Sequence, residues 1–262
     1  MKILLILCVL LFLVSLLWII SASQFSQTDG VTLNQKLLTL SERLLYKVKT
    51  DESVDTIQTA LANYSVEDLS KGLINDDARN VFWINVYNAN YQVLAISDER
   101  AKNRIFTVKA IRFSDVSLSL DDIEHGILRK YRWKYGLGYL PQFLPSRTVK
   151  QLAVNKLDFR IHFALNCGGR SCPPIVFYQY EKLNDQLNLA VRSFLESETI
   201  VDEASHKIYV TKIMQWFKGD FGGEAGIKRV LMRYLKRDFT NYAVQFKKYN
   251  WSEDLKNFST PE

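Results

Sequence analysis

The chain has 262 residues, 47% hydrophobic, 13% aromatic and 24% charged, with only 11 Gly and 5 Pro. This excludes a disordered, collagenous or disulfide-framework chain and allows one sizeable core. The formal charge of +6, from 34 Lys plus Arg against 28 Asp plus Glu, is modest and reads as spread along the chain, which favours solubility near anionic surfaces and argues against a nucleic-acid partner.

Ile3 to Ile20 carry no charge, follow Lys2 and give way to Ser21-Ala22-Ser23. This pattern reads as an export signal. The run is longer than the usual signal core of about 7–15 residues and approaches the ~18–20 that span a bilayer, so residues 1–23 are either a signal cleaved after Ser23 or a retained membrane anchor. Leu7 stands before Cys8 where a lipoprotein signal needs a small residue, so lipidation is not expected. Residues 24–32 read as a linker and 33–262 as a single globular domain in an extracytoplasmic space, periplasmic or anchored to the inner membrane.

Leu33, Leu37, Leu40, Leu44, Leu45 and Val48 recur at helical spacing, and a second short helix is expected from Val54 to Ala62. Ala78 to Ile96 is apolar around most of a helical circumference, leaving Asn85, Asn88 and Gln92 as a polar stripe. Such a helix is mostly buried, and its amides either lock neighbouring loops or line a site. Ser119 and Asp122 read as a capping box opening a helix through Tyr131, followed by an ordered loop from Trp133 to Thr148. Alternation from Arg160 to Cys167 predicts a strand with Arg160, His162, Ala164 and Asn166 on one face, ended by Gly168 and Gly169. A helix from about Tyr180 to Ser197, a hairpin over Ile200–Val210, a helical turn at Ile213–Phe217, a helix over Gly226–Arg237 and a strand near Tyr242–Tyr249 complete the chain. The expected fold is α+β, a helix-rich single domain with a small, mostly antiparallel sheet.

Phe82-Trp83-Ile84-Asn85-Val86-Tyr87-Asn88-Ala89, Asp122-Ile123-Glu124-His125-Gly126-Ile127-Leu128-Arg129 and Arg160-Ile161-His162-Phe163-Ala164-Leu165-Asn166-Cys167-Gly168, closed by Ser171-Cys172-Pro173-Pro174-Ile175, resemble the family called domain of unknown function 547. Trp216-Phe217-Lys218-Gly219-Asp220-Phe221 is similar to another of its segments. The resemblance spans about residues 55–255. Tyr249-Asn250-Trp251-Ser252 departs from the family's phrase by Asn in place of Asp. It implies a domain assignment and residues to consider, and no reaction.

The strongest chemical constellation joins Cys172 with His162 and His125. A thiolate needs a base or a positive neighbour at neutral pH, which either imidazole or Arg170 would provide. Asp121 precedes His125 by one helical turn and would orient its ring, and Arg129 follows by one turn and would bind an anion. Glu124 faces elsewhere unless the helix distorts. The amides of Gly168, Gly169 and Arg170 would form an oxyanion nest. Cys172, His125, His162 and Asp121 are thus the candidate catalytic residues of a cysteine-dependent hydrolase or acyl transferase, and Asn85, Asn88, Glu124, Arg129, Arg160, Gly168, Gly169 and Arg170 the candidate binding residues. The competing readings are a non-catalytic envelope binding domain with a structural Cys167–Cys172 disulfide, a thiol–disulfide protein, and a zinc site of His162, Cys167, Cys172 and His125. His206 joins none of them. No cofactor is expected. The expected partners are a small molecule, peptide or glycan held by surplus aromatic residues, and a membrane through the amino terminus if it is uncleaved.

Overall fold

A computed structural model describes residues 32–97 and 104–259. The signal or anchor over 1–23 and nearly all of the linker lie outside these residues. Among the described residues, no helix is long and apolar enough to cross a membrane.

The first helix, α1 (Gln35–Lys49), is capped by Asn34, whose side chain accepts from Leu37 N–H at 3.3 Å, and carries Lys47 and Lys49 in its last turn, where cations favour the helix dipole. Its leucine stripe packs along α4 (Asp76–Ser97). Between them stand α2 (Asp55–Ala62) and α3 (Val66–Gly72), the latter opened by a full capping box of Ser65 and Asp68. Helix α3 is not apparent from apolar spacing, because seven residues give too little periodicity.

Helix α4 is the central beam, with Phe82, Trp83, Ile84, Val86 and Tyr87 all buried. Its amides lock loops. Asn85 donates to Tyr178 C=O at 2.9 Å and accepts from Tyr178 N–H at 3.1 Å; Asn88 makes the same two-way clasp with Ala164 C=O and Asn166 N–H, each at 2.9 Å. Gln92 accepts from Lys256 N–H. Satisfied in this way, the amides avoid the cost of buried orphan groups and hold three irregular segments against the beam.

Strands β1 (Ile111–Arg112) and β2 (Ser117–Leu118) form a minimal antiparallel pair. The expected Ser119–Asp122 capping box follows, but what it opens is a π-helix, Asp122–Leu128, and not an α-helix reaching Tyr131. The ordered loop runs to Ser146, which caps α5 (Arg147–Leu152) by accepting from Val149 N–H. The strand expected over 160–167 is a 3₁₀ turn, Phe159–Phe163. Asp158 caps that turn through Arg160 N–H, and the Asn88 amide takes the place of a partner strand at Ala164 and Asn166.

A short 3₁₀ turn, Tyr180–Lys182, leads into α6 (Leu183–Glu198), which packs on the Phe159–Phe163 turn and on α8 (Gly223–Leu235). The hairpin forms as β3 (Ile200–Asp202) and β4 (Lys207–Val210), followed by α7 (Ile213–Trp216) and β5 (Ala243–Phe246). β4 pairs antiparallel with β3 and parallel with β5, so the strands make two small sheets, one of them mixed. The fold is a helix-rich α+β fold. Two apolar clusters form the interior, one around α1 and α4, the other around α6, α8 and β4.

Candidate functional site

A cavity of about 490 Å³ is lined from both clusters, with Tyr87 and Leu165 from the first and Ile213 and Phe217 from the second. Phe106, Tyr135, Trp216, Tyr249 and Trp251 add to its wall. Trp216, Tyr249 and Trp251 pack on one another with ring centroids 4.5–5.5 Å apart. Asp121, Glu124, His125, Lys134, His162 and Cys167 supply the polar wall.

The π-helix explains how Asp121, Glu124 and His125 face one space. Arg129 N–H bonds to Glu124 C=O and Tyr131 N–H to Gly126 C=O, both five residues back. This register turns less per residue than an α-helix, so consecutive side chains fan over a narrower arc. Glu124, expected to face elsewhere, is buried at the cavity with Tyr87 O–H donating to its Oε2 at 3.1 Å. Burial raises its carboxyl above the usual range, and the nearby Arg129 charge recovers only part of that rise.

Arg129 lies behind the wall, fully buried. Its Nε donates to Asp220 Oδ2 at 2.7 Å, its Nη1 donates to His125 Nδ1 at 2.7 Å, and its guanidinium covers the Phe217 ring at 4.4 Å. Because a guanidinium only donates, His125 Nδ1 is the acceptor and its proton sits on Nε2, 3.6 Å from Asp121 Oδ1. Burial, helped by the Arg129 charge, lowers His125 to about 3, so the ring is neutral at physiological pH.

His162 stacks on Phe217 at 4.0 Å, and its Nε2 donates to Asp220 Oδ2 at 2.9 Å. Burial holds this imidazole below its ordinary value despite the carboxylate. With Nε2 carrying the proton, the neutral ring keeps its lone pair on Nδ1. Burial alone would raise Asp220; the hydrogen bonds from His162 and Arg129 outweigh it and keep Asp220 ionised.

Cys172 does not stand as a nucleophile. It is 3% exposed and paired with Cys167 at disulfide distance, with a Cα separation of 6.1 Å, so neither sulfur is a free thiolate. The Tyr249 hydroxyl lies 2.9 Å from the Cys172 sulfur and 3.1 Å from that of Cys167. Three further assignments are corrected. The amides of Gly168, Gly169 and Arg170 are taken by Asn166 Oδ1, Cys172 Sγ and Ser252 C=O, which leaves no open nest. Arg160 is held by Asp158, Asn184 and Asn188 and lines no part of the cavity. Asn85 and Asn88 are spent on the loop clasps. Among the described residues no group of three His, Cys, Asp or Glu is placed to hold a metal ion, which removes the basis for the zinc reading.

Residues 72–195 match the family model described as protein of unknown function, DUF547. Over this stretch the chain is similar to the DUF547 family. The matched DUF547 segment is shorter than the resemblance over 55–255 and runs from the end of α3 into α6. It contains Glu124, His125, Arg129, His162 and both cysteines. Phe217, Trp216 and Tyr249, which complete the cavity wall, and Asp220 behind it lie beyond the matched segment. No curated protein and no solved structure matches the chain.

Asp220, Tyr87 and Tyr249 were missed as site residues, although each stands inside a phrase that carried the resemblance. A lone acid between two glycines and aromatics gives no periodic signal. It becomes visible only when Arg129 and His162 are seen to share it.

Proposed function

We propose that the cavity is the active site of an acid–base hydrolase or group-transferring enzyme that does not use a thiol. Glu124 is the general acid, its raised pKa keeping a proton available above the ordinary carboxyl range. His162, neutral and oriented by Asp220, is the general base, taking a proton from water or an acceptor hydroxyl as that oxygen attacks the substrate. Glu124 then protonates the leaving group. His125 has its lone pair tied to Arg129, so it acts as an Nε2–H donor that orients substrate. The aromatic wall suits a ligand with a flat or apolar body and one polar end, among which small amphiphiles, aromatic peptides and glycans are the candidate classes. The apolar run Ile3–Ile20 supports placing this activity outside the cytoplasm.

The observation that carries the reading is Glu124, a buried carboxyl facing a cavity beside two neutral imidazoles. Strongly perturbed ionisable groups of this kind cluster at working sites. The test is turnover of a panel of aryl esters, anilides and aryl glycosides by the full chain and by its Glu124→Gln and His162→Gln variants. At least one class is turned over, and each variant loses about 10²–10⁴-fold in kcat with little change in KM. The pH profile has its rising limb below 6.5 and its falling limb above 4.5. Ligand binding without turnover, equal in all three proteins, would instead make this a binding domain.

A further inference from the structure

The net charge of the chain is not evenly spread. From Gly126 to Leu157 the sequence holds seven Lys or Arg and no Asp or Glu, against a total of +6 for the whole chain. The charge is therefore concentrated, and although a second tract, Gly226 to Tyr249, holds seven Lys or Arg and one Asp, the exposed apolar residues lie with the first. The same stretch carries the most exposed apolar side chains among the described residues: Phe143 is 94% exposed, Leu144 82% and Tyr135 69%, while Trp133, Tyr139 and Leu140 are each roughly half exposed. Soluble surfaces carry scattered apolar residues but seldom group this many on one short loop.

The loop is preformed. Trp133 N–H bonds to Leu140 C=O at 2.9 Å and Gln142 N–H to Tyr131 C=O at 2.6 Å, and Arg132 bridges to Pro141. Gly219 N–H bonds to Leu137 C=O at 2.7 Å, which ties the loop to the segment bearing Asp220. Pro141 and Pro145 flank the Phe143-Leu144 tip, and Arg147, Lys150 and Lys156 stand exposed just after it.

We propose that this loop, Trp133 to Leu144, docks the domain on an anionic lipid bilayer, with Phe143 and Leu144 inserted among the acyl chains. Trp133, Tyr135 and Tyr139 lie at headgroup level, where amphipathic rings are favoured. Arg147, Lys150 and Lys156 meet the lipid phosphates. Charge complementarity selects the occupant, because a second copy of this chain would bring the same exposed Arg147, Lys150 and Lys156 against its partner. Lys134, Tyr135 and Leu137 also line the cavity, so docking sets the cavity entrance beside the membrane surface. The proposal rests on the loop and does not depend on which reaction the cavity performs.

The test places an indole at the tip through Phe143→Trp in the full chain and, as a control, at an exposed strand position outside the loop through Ile200→Trp. Each is mixed with vesicles of phosphatidylcholine containing 30 mol% phosphatidylglycerol and chain-brominated lipid, and fluorescence is read against the unsubstituted chain. The added indole at position 143 is quenched at least about threefold more than that at position 200, and raising salt from about 0.05 to 0.5 M removes most of the difference. Adding Arg147→Glu and Lys150→Glu to the Phe143→Trp chain lowers the quenching by a similar factor. Because the signal is specific to position, insertion through the amino terminus does not produce it. Equal quenching at both positions, equal quenching in pure phosphatidylcholine, or no effect of the charge reversals overturns the proposal. A concentration-dependent dimer abolished by Phe143→Ser, with no quenching, overturns it in favour of self-association.

Discussion

Replacing Asp220 by Asn separates the charge buried behind the cavity from the shape of the side chain that carries it. Arg129 and Asp220 are both sealed from solvent, and one carboxylate oxygen accepts from Arg129 Nε and His162 Nε2 together. Asn preserves the volume and an acceptor for both donors but leaves the guanidinium with no counter-charge nearer than Glu124. Removing one member of a buried pair costs about 3–5 kcal/mol, and the retained acceptor puts Asp220→Asn near the lower end, about 3 kcal/mol. Arg129→Met leaves the buried carboxylate only Arg132, 3.9 Å away, as counter-charge and costs about the same. In the double variant neither charge remains and His162 still has its acceptor, so the loss is about 1–2 kcal/mol, well short of the roughly 6 kcal/mol sum of the single changes. Urea unfolding at pH 7.5, followed by tryptophan fluorescence and far-ultraviolet circular dichroism, measures all three. Against a typical domain stability of about 5–15 kcal/mol the single variants remain folded enough to titrate. Additivity within about 0.5 kcal/mol, or a single-variant cost below about 1 kcal/mol, would refute the reasoning.

Three further outcomes follow from the same geometry. The unfolded chain protonates His125 near 6.5 while the folded chain resists until about 3, so stability is complete above 6.5 and declines as pH falls below it, by about 2 kcal/mol from this ring at pH 5. His162 adds loss of the same sign, and Glu124, with its raised folded-state pKa, opposes it as pH falls; denaturant midpoints that stay flat from pH 7.5 to 5 would contradict this. Asn88→Ala orphans two buried backbone groups, Ala164 C=O and Asn166 N–H, and lowers stability by at least about 2 kcal/mol, whereas Asn90→Ala, whose amide only bonds back to Val86 C=O in its own helix, costs less than about 1 kcal/mol in the same titration. Gly219→Ala would bring a methyl within 2.4 Å of the Gly138 carbonyl carbon and 2.5 Å of Tyr139 N, an overlap with backbone that costs about 1–3 kcal/mol and loosens the Trp133–Leu144 loop, seen as faster exchange of the Trp133 amide that bonds to Leu140 C=O.

The long helices were legible because their side chains repeat. The leucine stripe of α1 and the all-round apolar surface of α4 each carry enough turns for periodicity to declare itself, and the Ser119–Asp122 cap was read from two residues because its hydrogen bonds are local. The segment 160–167 misled for the opposite reason. Its alternation of polar and apolar residues meets the period-two criterion of a strand, yet both sets are buried, since His162 and Ile161 enter the interior from a 3₁₀ turn with the Asn88 amide supplying the ladder bonds. Glu124 was placed away from the site because a 100° projection assumes α geometry, and no residue type announces a π-helix. Tyr249 reaches the cavity, and Asp220 the His162 and Arg129 groups behind it, from later segments, through contacts that no local pattern encodes. The basic surplus escaped notice because a chain-wide sum hides where the charges sit.

A π-helix closes each backbone hydrogen bond over one more residue than its α counterpart, which amounts to a one-residue insertion absorbed without breaking the rod. Excising a single residue between Asp122 and Leu128 would let the segment relax to ordinary winding and swing Glu124 away from Tyr87, while the leucine and aromatic packing of α1 and α4 stayed intact. The placement of Glu124 at this hollow can thus be gained or lost by the removal of one codon, independently of the scaffold that carries it.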